Sequence, residues 1–437
     1  MPTEIKFAFR REPAVIRALF FLAPFITLLA PRTTVPALIV LAIGCVSLAL
    51  LHGQRLKALF RPDLGLALFA IAAVYLFINA SWSQDVSRAC GKALWFALVV
   101  LLSYAACRAL ATWQQRQLGI AVTALLAGLA VGVAIVMFEE ASGRFLTVLL
   151  YNVLPFTRPE SAKALFLNDG QVVRIAAFEL NRNVTVMLLM LWPALLCLTW
   201  SGDKRWRLIG IAGLCLAITV SVFLSTHETS KLGLVLSAIA FAAARPWPTL
   251  TRRAVWIGWC LAFVLIIPLA TMAYKAELQH AEWLPFSARA RITLWAYTAE
   301  QIPAAPILGI GLTSTRKMDL EPEARLKAIA PKGEAYAWRA GPHAHNVFLQ
   351  SWYELGAIGV ILLMVAGSAV ILSVARLPRQ TQAFVLAHLT AFFATVAFGW
   401  GMWQSWLMAV AGLAALYAAL AVSFYRAKQP AAEVSGP

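Results

Sequence analysis

The feature that most constrains this chain is a series of long apolar runs separated by mostly short polar loops. Hydrophobic residues make up 61% of the 437 residues, and only 13% are charged. Runs of roughly 18 apolar residues are typical of membrane-spanning helices, because only a helix or a closed barrel satisfies its backbone hydrogen bonds in lipid. The alternation typical of barrel strands is absent, so we predict an all-α polytopic membrane protein. The predicted spans are 14–30, 34–51, 63–79, 93–110, 119–138, 183–200, 207–225, 231–244, 254–274, 347–375, 382–400 and 404–424.

The basic residues are distributed unevenly between two sets of loops. One set, which includes both chain ends, holds 19 of the 37 Lys and Arg residues, and the short loops of the other set hold four. Because lysine and arginine accumulate on the cytoplasmic side, both termini are predicted to be cytoplasmic. The basic start of the chain runs into the first span without a small-residue cleavage site, so we expect that span to be retained. The six cysteines form no CxxC pair and are interpreted as packing residues.

Two long loops on the outer side divide the chain. Spans one to nine occupy residues 1–274, with an intermediate loop at 139–182. A large loop at 275–346 follows, and spans ten to twelve occupy 347–424. The Pro/Ala-rich tail, 425–437, is predicted to be disordered.

Both long loops are expected to contain helices. In the large loop one helix is predicted at 287–300, capped by Ser287 and ended by Pro303 and Pro306, and a second at 316–330. In the first long loop an amphipathic piece, Phe145–Leu154, is predicted to lie along the membrane surface.

Two histidines mark the junction between the large loop and the tenth span. His343 and His345 come just before Asn346, which has the residue type and position of a helix N-cap. The positive end of the helix disfavours a charged imidazole, so His345 is predicted to be neutral and able to accept a proton. The same helix end would favour a phosphate. The alternative is a histidine that only caps or hydrogen-bonds locally.

A metal site at this His-x-His pair is the less favoured interpretation. It would need a third ligand, and the nearby acids Glu334 and Glu354 are not at an obvious ligand spacing. We therefore predict no metal.

Arginines and one lysine on the same side are candidates for binding an anion. Arg291 and Trp295 are four residues apart on one helical face, so the ring is placed to stack on the guanidinium or to position it while it reaches phosphate oxygens. A solvated basic face is the alternative for Arg291 and its neighbour Arg289. The other candidates, each with an interfacial or capping alternative, are Lys231, Arg174 and Arg182.

A base and several cations around the mouth of a helix bundle suit an anionic lipid, specifically a lipid-linked phosphate or pyrophosphate. The chain has no Walker A, GxGxxG or GxSxG motif. The energy for a reaction would therefore come from the activated bond of the substrate.

At this point the motifs resemble those of the O-antigen ligase and polymerase superfamily. His345-Asn346, followed after nine residues by Gly356-Ala-Ile-Gly359, is similar to the H-N-x9-G-x-x-G signature of that group. Arg291-Ile-Thr-Leu-Trp295, followed by Pro306-Ile-Leu-Gly309-Ile-Gly311, is similar to R-x-x-x-W…P-h-x-G-x-G. Ser230-Lys231 stands where members often have Ser-Arg. The resemblance covers about residues 225–365.

The resemblance implies a GT-C type glycosyltransferase of the bacterial inner membrane, with its site facing the periplasm. Such a ligase moves a glycan from undecaprenyl pyrophosphate to a sugar hydroxyl of lipid A–core, without a metal or cofactor. It implies that His345 is the base and that Arg291 binds the pyrophosphate. Lys231 would replace an arginine, which supplies charge without a bidentate fork. The remaining candidates for binding the headgroup are Arg289, Arg182, Arg174, His343 and Asn346.

Three alternatives stay open from the sequence. An O-antigen polymerase would use a second lipid-linked repeat as acceptor, and a protein O-oligosaccharyltransferase would use a side-chain hydroxyl. A transporter or flippase for an anionic lipid is expected to carry charges inside its spans or paired half-helices. The cations of this chain instead cluster at the outer edge.

Overall fold

The protein is a bundle of long helices with a small amount of sheet in one loop. The computed structural model describes residues 3–158, 164–318, 338–339 and 341–429, with side chains from Glu12 onward. The long helices are α1 Thr3–Leu29, α2 Thr34–Leu51, α4 Leu64–Ala80, α5 Val86–Leu110, α6 Gln115–Ala141, α8 Asn181–Thr199, α9 Lys204–Leu224, α10 Glu228–Ala244, α11 Pro248–Lys275, α14 Val347–Ser373, α15 Arg379–Phe398 and α16 Ser405–Lys428. The shorter helices are α3 Leu56–Leu59, α7 Phe145–Val153, α12 Phe286–Gln301 and α13 Thr315–Met318.

Each of the twelve predicted spans coincides with one long helix. Ten apolar helices of the described chain are long enough to cross a membrane. The other two, α4 and α10, have 17 residues each. The chain is an all-α polytopic membrane protein.

Several helices begin at an aspartate because its carboxylate satisfies free N–H groups of the first turn. Asp63 accepts a hydrogen bond from Leu66 N at the start of α4. Asp203 accepts two from the first turn of α9. These caps fix where the polar loops end and the apolar helices begin.

Two helices form the centre of the bundle. All fifteen residues from Asn183 to Cys197 of α8 are buried, and most of α16 is buried as well. α16 packs against α2, α5, α6 and α8, while α1 packs on α6 and α10 packs on α15. An all-round apolar helix such as α8 is what the centre of a membrane bundle requires.

Hydrogen bonds connect loops and helix ends at each of the two ends of the bundle. At one end, Thr229 donates to Phe398 O, and the Asn183 amide donates to Leu28 O. This end also carries His345, and we call it the histidine end. At the opposite end, Lys428 at the end of α16 donates to Trp200 O. Which end faces the cytoplasm stays a prediction.

The first long loop contains both a predicted and an unpredicted element. The amphipathic piece is the helix α7, and its apolar side chains, including Phe145 and Val153, are exposed in the protein itself. An antiparallel hairpin, β1 Leu165–Asn168 with β2 Gln171–Ile175, follows and was not predicted. Its turn at Asp169 and Gly170 has left-handed backbone at both positions, which is typical of a tight hairpin.

The large loop differs from the prediction at one cap. The helix predicted at 287–300 is α12, but its N-cap is Pro285 rather than Ser287. The extended backbone of Pro285 starts the helix two residues earlier, and Ser287 lies within the first turn. A short 3-10 turn at Ile302–Ala304 follows, in keeping with Pro303. Beyond Met318, the helix predicted at 316–330 lies outside the described residues, as does the tail from residue 430.

The tenth span is broken near its start, which corrects the prediction of one continuous helix. Gly356 has φ +63°, a left-handed conformation that favours glycine. The segment 306–311 lies across this break, where Ile310 N donates to Tyr353 O and Ala357 N donates to Pro306 O. Gly356 is thus a helix break that pairs with a second backbone segment. Gly359 is the packing position, against the Tyr75 ring.

Candidate functional site

His345 lies at the entrance of α14 with its hydrogen bonding fixed by a backbone carbonyl. Its Nδ1 is 2.7 Å from Gly399 O. Because a carbonyl only accepts, Nδ1 carries the proton and Nε2 keeps its lone pair. The backbone of His345 is left-handed, with φ +54°, which is strained for a residue with a Cβ. Asn346 is the predicted N-cap, and its Oδ1 accepts from Leu349 N at 2.9 Å.

His343 is the neighbour of His345 in space as well as in sequence. The ring centroids are 4.0 Å apart. The Gln404 amide donates to His343 Nε2 at 3.2 Å, and its orientation is fixed because Gln404 Oε1 accepts from Trp406 at 2.9 Å. The lone pair of His343 is therefore already used. A Cβ at Gly401 would meet the His343 ring, so this position has room only for glycine.

Both histidines are held in the neutral form. Burial lowers the pKa of His345 to about 4, opposed by the hydrogen bond to Gly399 and assisted by the charge of Arg291. Burial, the neighbouring His345 and Arg291 lower the pKa of His343 to about 3. The neutral state was predicted from the helix end, but burial is the main cause. At neutral pH His345 has an unprotonated Nε2 that is able to accept a proton.

Arg291 supplies a positive charge to the histidines from α12. Its guanidinium is half-buried, and no carboxylate in the described part of the chain forms an ion pair with it. The predicted stacking on Trp295 is absent from the cation–π pairs of the described residues. Trp295 instead donates from its indole N–H to Ala344 O at 2.7 Å, between the two histidines. The Arg-x-x-x-Trp motif thus provides a charge and, separately, an anchor for the histidine loop.

His227 belongs to the same site and was missed. It precedes α10 and is buried, with Nδ1 2.6 Å from Ser230 Oγ and 3.3 Å from Thr185 Oγ1. Burial, with a smaller effect of Arg291, lowers its pKa to about 3. The sequence did offer a signal, which is a histidine inside the polar segment that precedes a span. This signal points to the site only when the fold brings His227 close to Arg291.

The loop between α15 and α16, residues 399–404, closes the site from the other side. Its Trp400 ring lies 5.6 Å from the His227 ring, and the Arg182 guanidinium lies 5.4 Å from the Trp400 ring centroid. Arg182 Nε is buried and has no hydrogen-bond partner among the described residues. Sequence reasoning missed Trp400, although a tryptophan between Gly399 and Gly401 in an outer loop is an unusual pattern.

The other predicted cations have different surroundings. Lys231 forms an ion pair with Glu228 at 2.8 Å, so much of its charge is already compensated. Arg174 is exposed on β2, 4.3 Å from the Phe166 ring centroid. Arg289 lies 6.0 Å from the Phe286 ring centroid at the start of α12. Arg291 is therefore the predicted cation that acts on the histidines, and Arg182 reaches the site through the Trp400 ring beside His227.

The acids considered as third metal ligands do not join the histidines. The Glu354 carboxylate accepts from Thr313 N at 3.0 Å, Thr315 N at 3.2 Å, the Gln350 amide and the Trp403 indole. This buried carboxylate fixes the segment 313–315 on α14. Glu334 lies outside the described residues.

The site combines one neutral imidazole with a free lone pair and two poorly compensated guanidinium groups. A neutral imidazole is suited to taking a proton from a hydroxyl. Guanidinium groups in a partly desolvated site bind phosphate oxygens strongly. Proton transfer beside a bound anion is therefore the chemistry that this arrangement supports.

Comparison with known proteins places the site within one family. The O-antigen ligase family matches residues 213–364, which contain His227, Arg291 and His345. Three rickettsial proteins, each named "Putative polysaccharide ligase", are similar to the chain. The protein of Rickettsia conorii is 24% identical over 250 residues, 55% of this chain and 58% of its own length. That of Rickettsia felis is 26% identical over 202 residues, and that of Rickettsia prowazekii 25% over 203; each match covers 46% of this chain and 47% of the relative.

The chain thus spans about half the length of the curated relatives it matches. The matched family domain begins within α9 and ends within α14, so it includes the whole large loop and the helix break at Gly356. Residues 213–364, with the site residues that they contain, match the O-antigen ligase family.

Proposed function

We propose that the chain is an O-antigen ligase that transfers a glycan en bloc from undecaprenyl pyrophosphate to a sugar hydroxyl of lipid A–core. The observation that carries the proposal is the state of His345, whose Nδ1 donates to Gly399 O and whose Nε2 keeps its lone pair. Its lowered pKa keeps the ring neutral. In the proposed reaction Nε2 takes the proton of the acceptor hydroxyl, whose oxygen attacks the anomeric carbon of the donor sugar.

Arg291 and Arg182 would bind the pyrophosphate. As the glycosidic bond to the pyrophosphate breaks, negative charge increases on the leaving oxygen. Arg291 is close enough to the histidines to lower the pKa of all three, so an anion that it binds would lie beside His345. The Trp400 ring beneath Arg182 would orient the second guanidinium. Lys231, already paired with Glu228, would have a minor electrostatic role.

The topology supports an outer-face reaction. The charge pattern of the short loops predicts that the histidine end faces the periplasm of a bacterial inner membrane and that both termini are cytoplasmic. In this orientation the donor lipid tail would lie against the helices while its headgroup reaches Arg291. The division of the chain into 1–274, 275–346 and 347–424 would then separate the membrane bundle from the loop that carries the base and the arginine.

The test supplies purified protein with undecaprenyl-pyrophosphate-linked glycan and lipid A–core. We expect glycan attached to lipid A–core, with release of undecaprenyl pyrophosphate, and the same yield after addition of a chelator. Only longer lipid-linked chains would indicate a polymerase, and glycan on a Ser, Thr or Tyr side chain would indicate a protein oligosaccharyltransferase. Activity lost to chelator and restored by a divalent ion would contradict the metal-independent reaction.

A further inference from the structure

A second cationic group lies at the histidine end, on helices that do not carry the candidate base. Lys92 is half-buried in α5, and its Nζ donates to Ser405 Oγ at 2.7 Å. Arg88, one turn earlier, and Arg316, in α13, are close enough to repel the Lys92 charge. Lys317 lies beside Arg316 and donates to Gln84 O at 2.6 Å. We call Arg88, Lys92, Arg316 and Lys317 the α5–α13 cationic cluster.

This cluster is poorly compensated by acids. None of its four side chains forms an ion pair within the described ranges. Asp85 is the acid at the start of α5, and its carboxylate accepts from Arg88 N as the helix cap. Arg88, Arg316 and Lys317 are exposed, whereas Lys92 is half-buried. A half-buried cation beside like charges costs free energy unless an anion binds next to it. Such a group is expected where a ligand supplies the missing negative charge.

The cluster is connected to the histidine pair through the start of α16. Lys92 binds Ser405, and the preceding residue, Gln404, donates to His343 Nε2. His343 in turn contacts His345 at 4.0 Å between ring centroids. Gln404 is the last residue of the loop 399–404. At the first end of this loop Gly399 O accepts a hydrogen bond from His345, and the Trp400 ring lies beside Arg182. Cations therefore lie at both ends of this loop, with the histidines between.

One enzyme that joins two substrates needs two subsites on either side of its base. Arg291 and Arg182 are assigned above to the pyrophosphate of the donor. The α5–α13 cationic cluster lies on separate helices, and the 312–315 segment that leads into α13 is fixed by Ser83 and by the buried Glu354 carboxylate. Because two independent anchors hold this segment, the site is preorganised and loses little conformational freedom when a second, different anion binds.

We propose that the α5–α13 cationic cluster binds phosphate groups of the acceptor saccharide and so presents its hydroxyl to His345. This inference rests on the proposed ligase function and adds the residues that hold the phosphate groups of the acceptor. Lys92 and its neighbours are positioning residues, since they bind the acceptor at a distance from the reacting atoms. Each charge-assisted contact is expected to strengthen acceptor binding by about tenfold.

The test measures binding of the acceptor without donor, so it does not depend on transfer. Lipid A–core, native or treated with phosphatase, is titrated into protein held in bilayer nanodiscs. Wild type is compared with Lys92→Gln, Lys92→Arg and Arg316→Gln. Arg116→Gln at the opposite end, exposed at the start of α6, is the matched control for loss of one cation.

We expect Lys92→Gln and Arg316→Gln each to weaken binding of native lipid A–core about tenfold. Lys92→Arg should recover most of the loss, and Arg116→Gln should have no effect. Phosphatase-treated lipid A–core should bind wild type and both Gln variants alike. In the transfer assay the same Gln variants should raise KM for the acceptor and leave KM for the donor unchanged.

Equal binding of native and phosphatase-treated acceptor by wild type would overturn the proposal. So would a rise in donor KM with acceptor KM unchanged, which would make the cluster part of the donor site. Nanodiscs with and without phosphatidylglycerol separate an acceptor phosphate from an ordinary lipid headgroup. If Lys92→Gln weakens only phosphatidylglycerol binding, the cluster binds bilayer lipid instead. Failure of transfer with normal acceptor binding would contradict the ligase function and leave the acceptor subsite supported.

Discussion

Two histidines at helix ends, one at each end of the bundle, have very different partners. His52 follows α2 at the opposite end, with Nε2 3.1 Å from the Glu12 carboxylate and 2.8 Å from the Gln117 amide. His345 precedes α14, contacts a backbone carbonyl and faces a guanidinium. Burial beside a cation keeps His345 neutral, whereas His52 is held between a carboxylate and an amide. The same residue type is therefore a structural link at one end and a candidate base at the other.

The two ends of the bundle also differ in the side chains that are brought together there. A crevice of about 1130 Å³ opens at the opposite end, lined by apolar side chains of α1, α6 and α16 and by Arg17, Arg116 and Lys428. Among the described residues that line it there is no histidine or carboxylate. The histidine end brings an imidazole lone pair and cations together. The candidate reactive site of this protein is therefore indicated by the hydrogen-bond partners and charges of its side chains, not by the volume of a cavity.

Replacing the two histidines in turn should have the largest effect. We expect His345→Ala to lower the transfer rate about 10³-fold, because it removes the proton acceptor. His52→Ala should lower it less than about threefold. The transfer assay measures both, with the amount of protein in the membrane as the control for folding. Loss of activity in His52→Ala alone would reverse the comparison.

Two glycines have similar left-handed backbone but different surroundings. Replacing each of them with alanine distinguishes backbone strain from steric contact. Gly356 in α14 has φ +63°, and a Cβ there would meet Ile307 O. Gly53, beside His52, has φ +83° and open space around it. We expect Gly53→Ala to cost about 1 kcal/mol of unfolding free energy, and Gly356→Ala about 3 kcal/mol because the 306–311 segment must also move.

Thermal unfolding of the detergent-purified variants measures this difference. Equal losses at the two glycines would mean that the paired segment contributes nothing to stability. The break would then be only a local turn. The Gly356→Ala variant should also lose transfer activity, since the short first part of α14 carries the loop with His345.

Substitutions at Arg291 and Arg116 compare a cation of the site with a cation at the opposite end of the bundle. We expect Arg291→Gln to lower kcat/KM about 10²-fold, because the guanidinium charge that stabilises the leaving pyrophosphate is lost. Arg291→Lys should recover part of the loss, because lysine supplies charge without a bidentate fork. Arg116→Gln should be neutral. Full activity of Arg291→Lys would show that only charge is needed there.

Lys231 is expected to show the smallest effect. Its ion pair with Glu228 is partly exposed, and exposed pairs contribute about 1 kcal/mol or less. Lys231→Ala should therefore change the transfer rate less than about fivefold. A loss as large as that of Arg291→Gln would assign Lys231 to the pyrophosphate site after all. Initial rates at saturating and limiting donor distinguish the two cases.

The spans were predictable because membrane helices leave a direct signal in the chain. Each apolar run between polar loops became one helix, and even the 14-residue run at 231–244 is within α10. The N-cap at Asn346 was also predictable, since an asparagine at the start of a long apolar run is typical of a helix N-cap. These signals are local, and one sequence is enough to reveal them.

The rest of the site depends on contacts between distant parts of the chain. His227 is a member of the site only because α10 places it near Arg291 and Trp400, and Lys92 reaches Ser405 only because α5 packs against the start of α16. The break at Gly356 depends on the 306–311 segment, which supplies hydrogen-bond partners to the interrupted helix. Apolar periodicity carries no information about such pairings. The contact of the Trp295 indole with Ala344 was not predictable for the same reason, since Ala344 lies 49 residues away.

The pH dependence of kcat/KM tests most directly whether His345 is a base kept neutral by its surroundings. Since kcat/KM reports the free enzyme, it should be level from pH 8 to about 5 and fall to half near pH 4, where His345 becomes protonated. His345→Ala should lose this acidic limb together with most of the activity. A wild-type profile that falls to half near pH 6.5, the ordinary histidine value, would contradict the account.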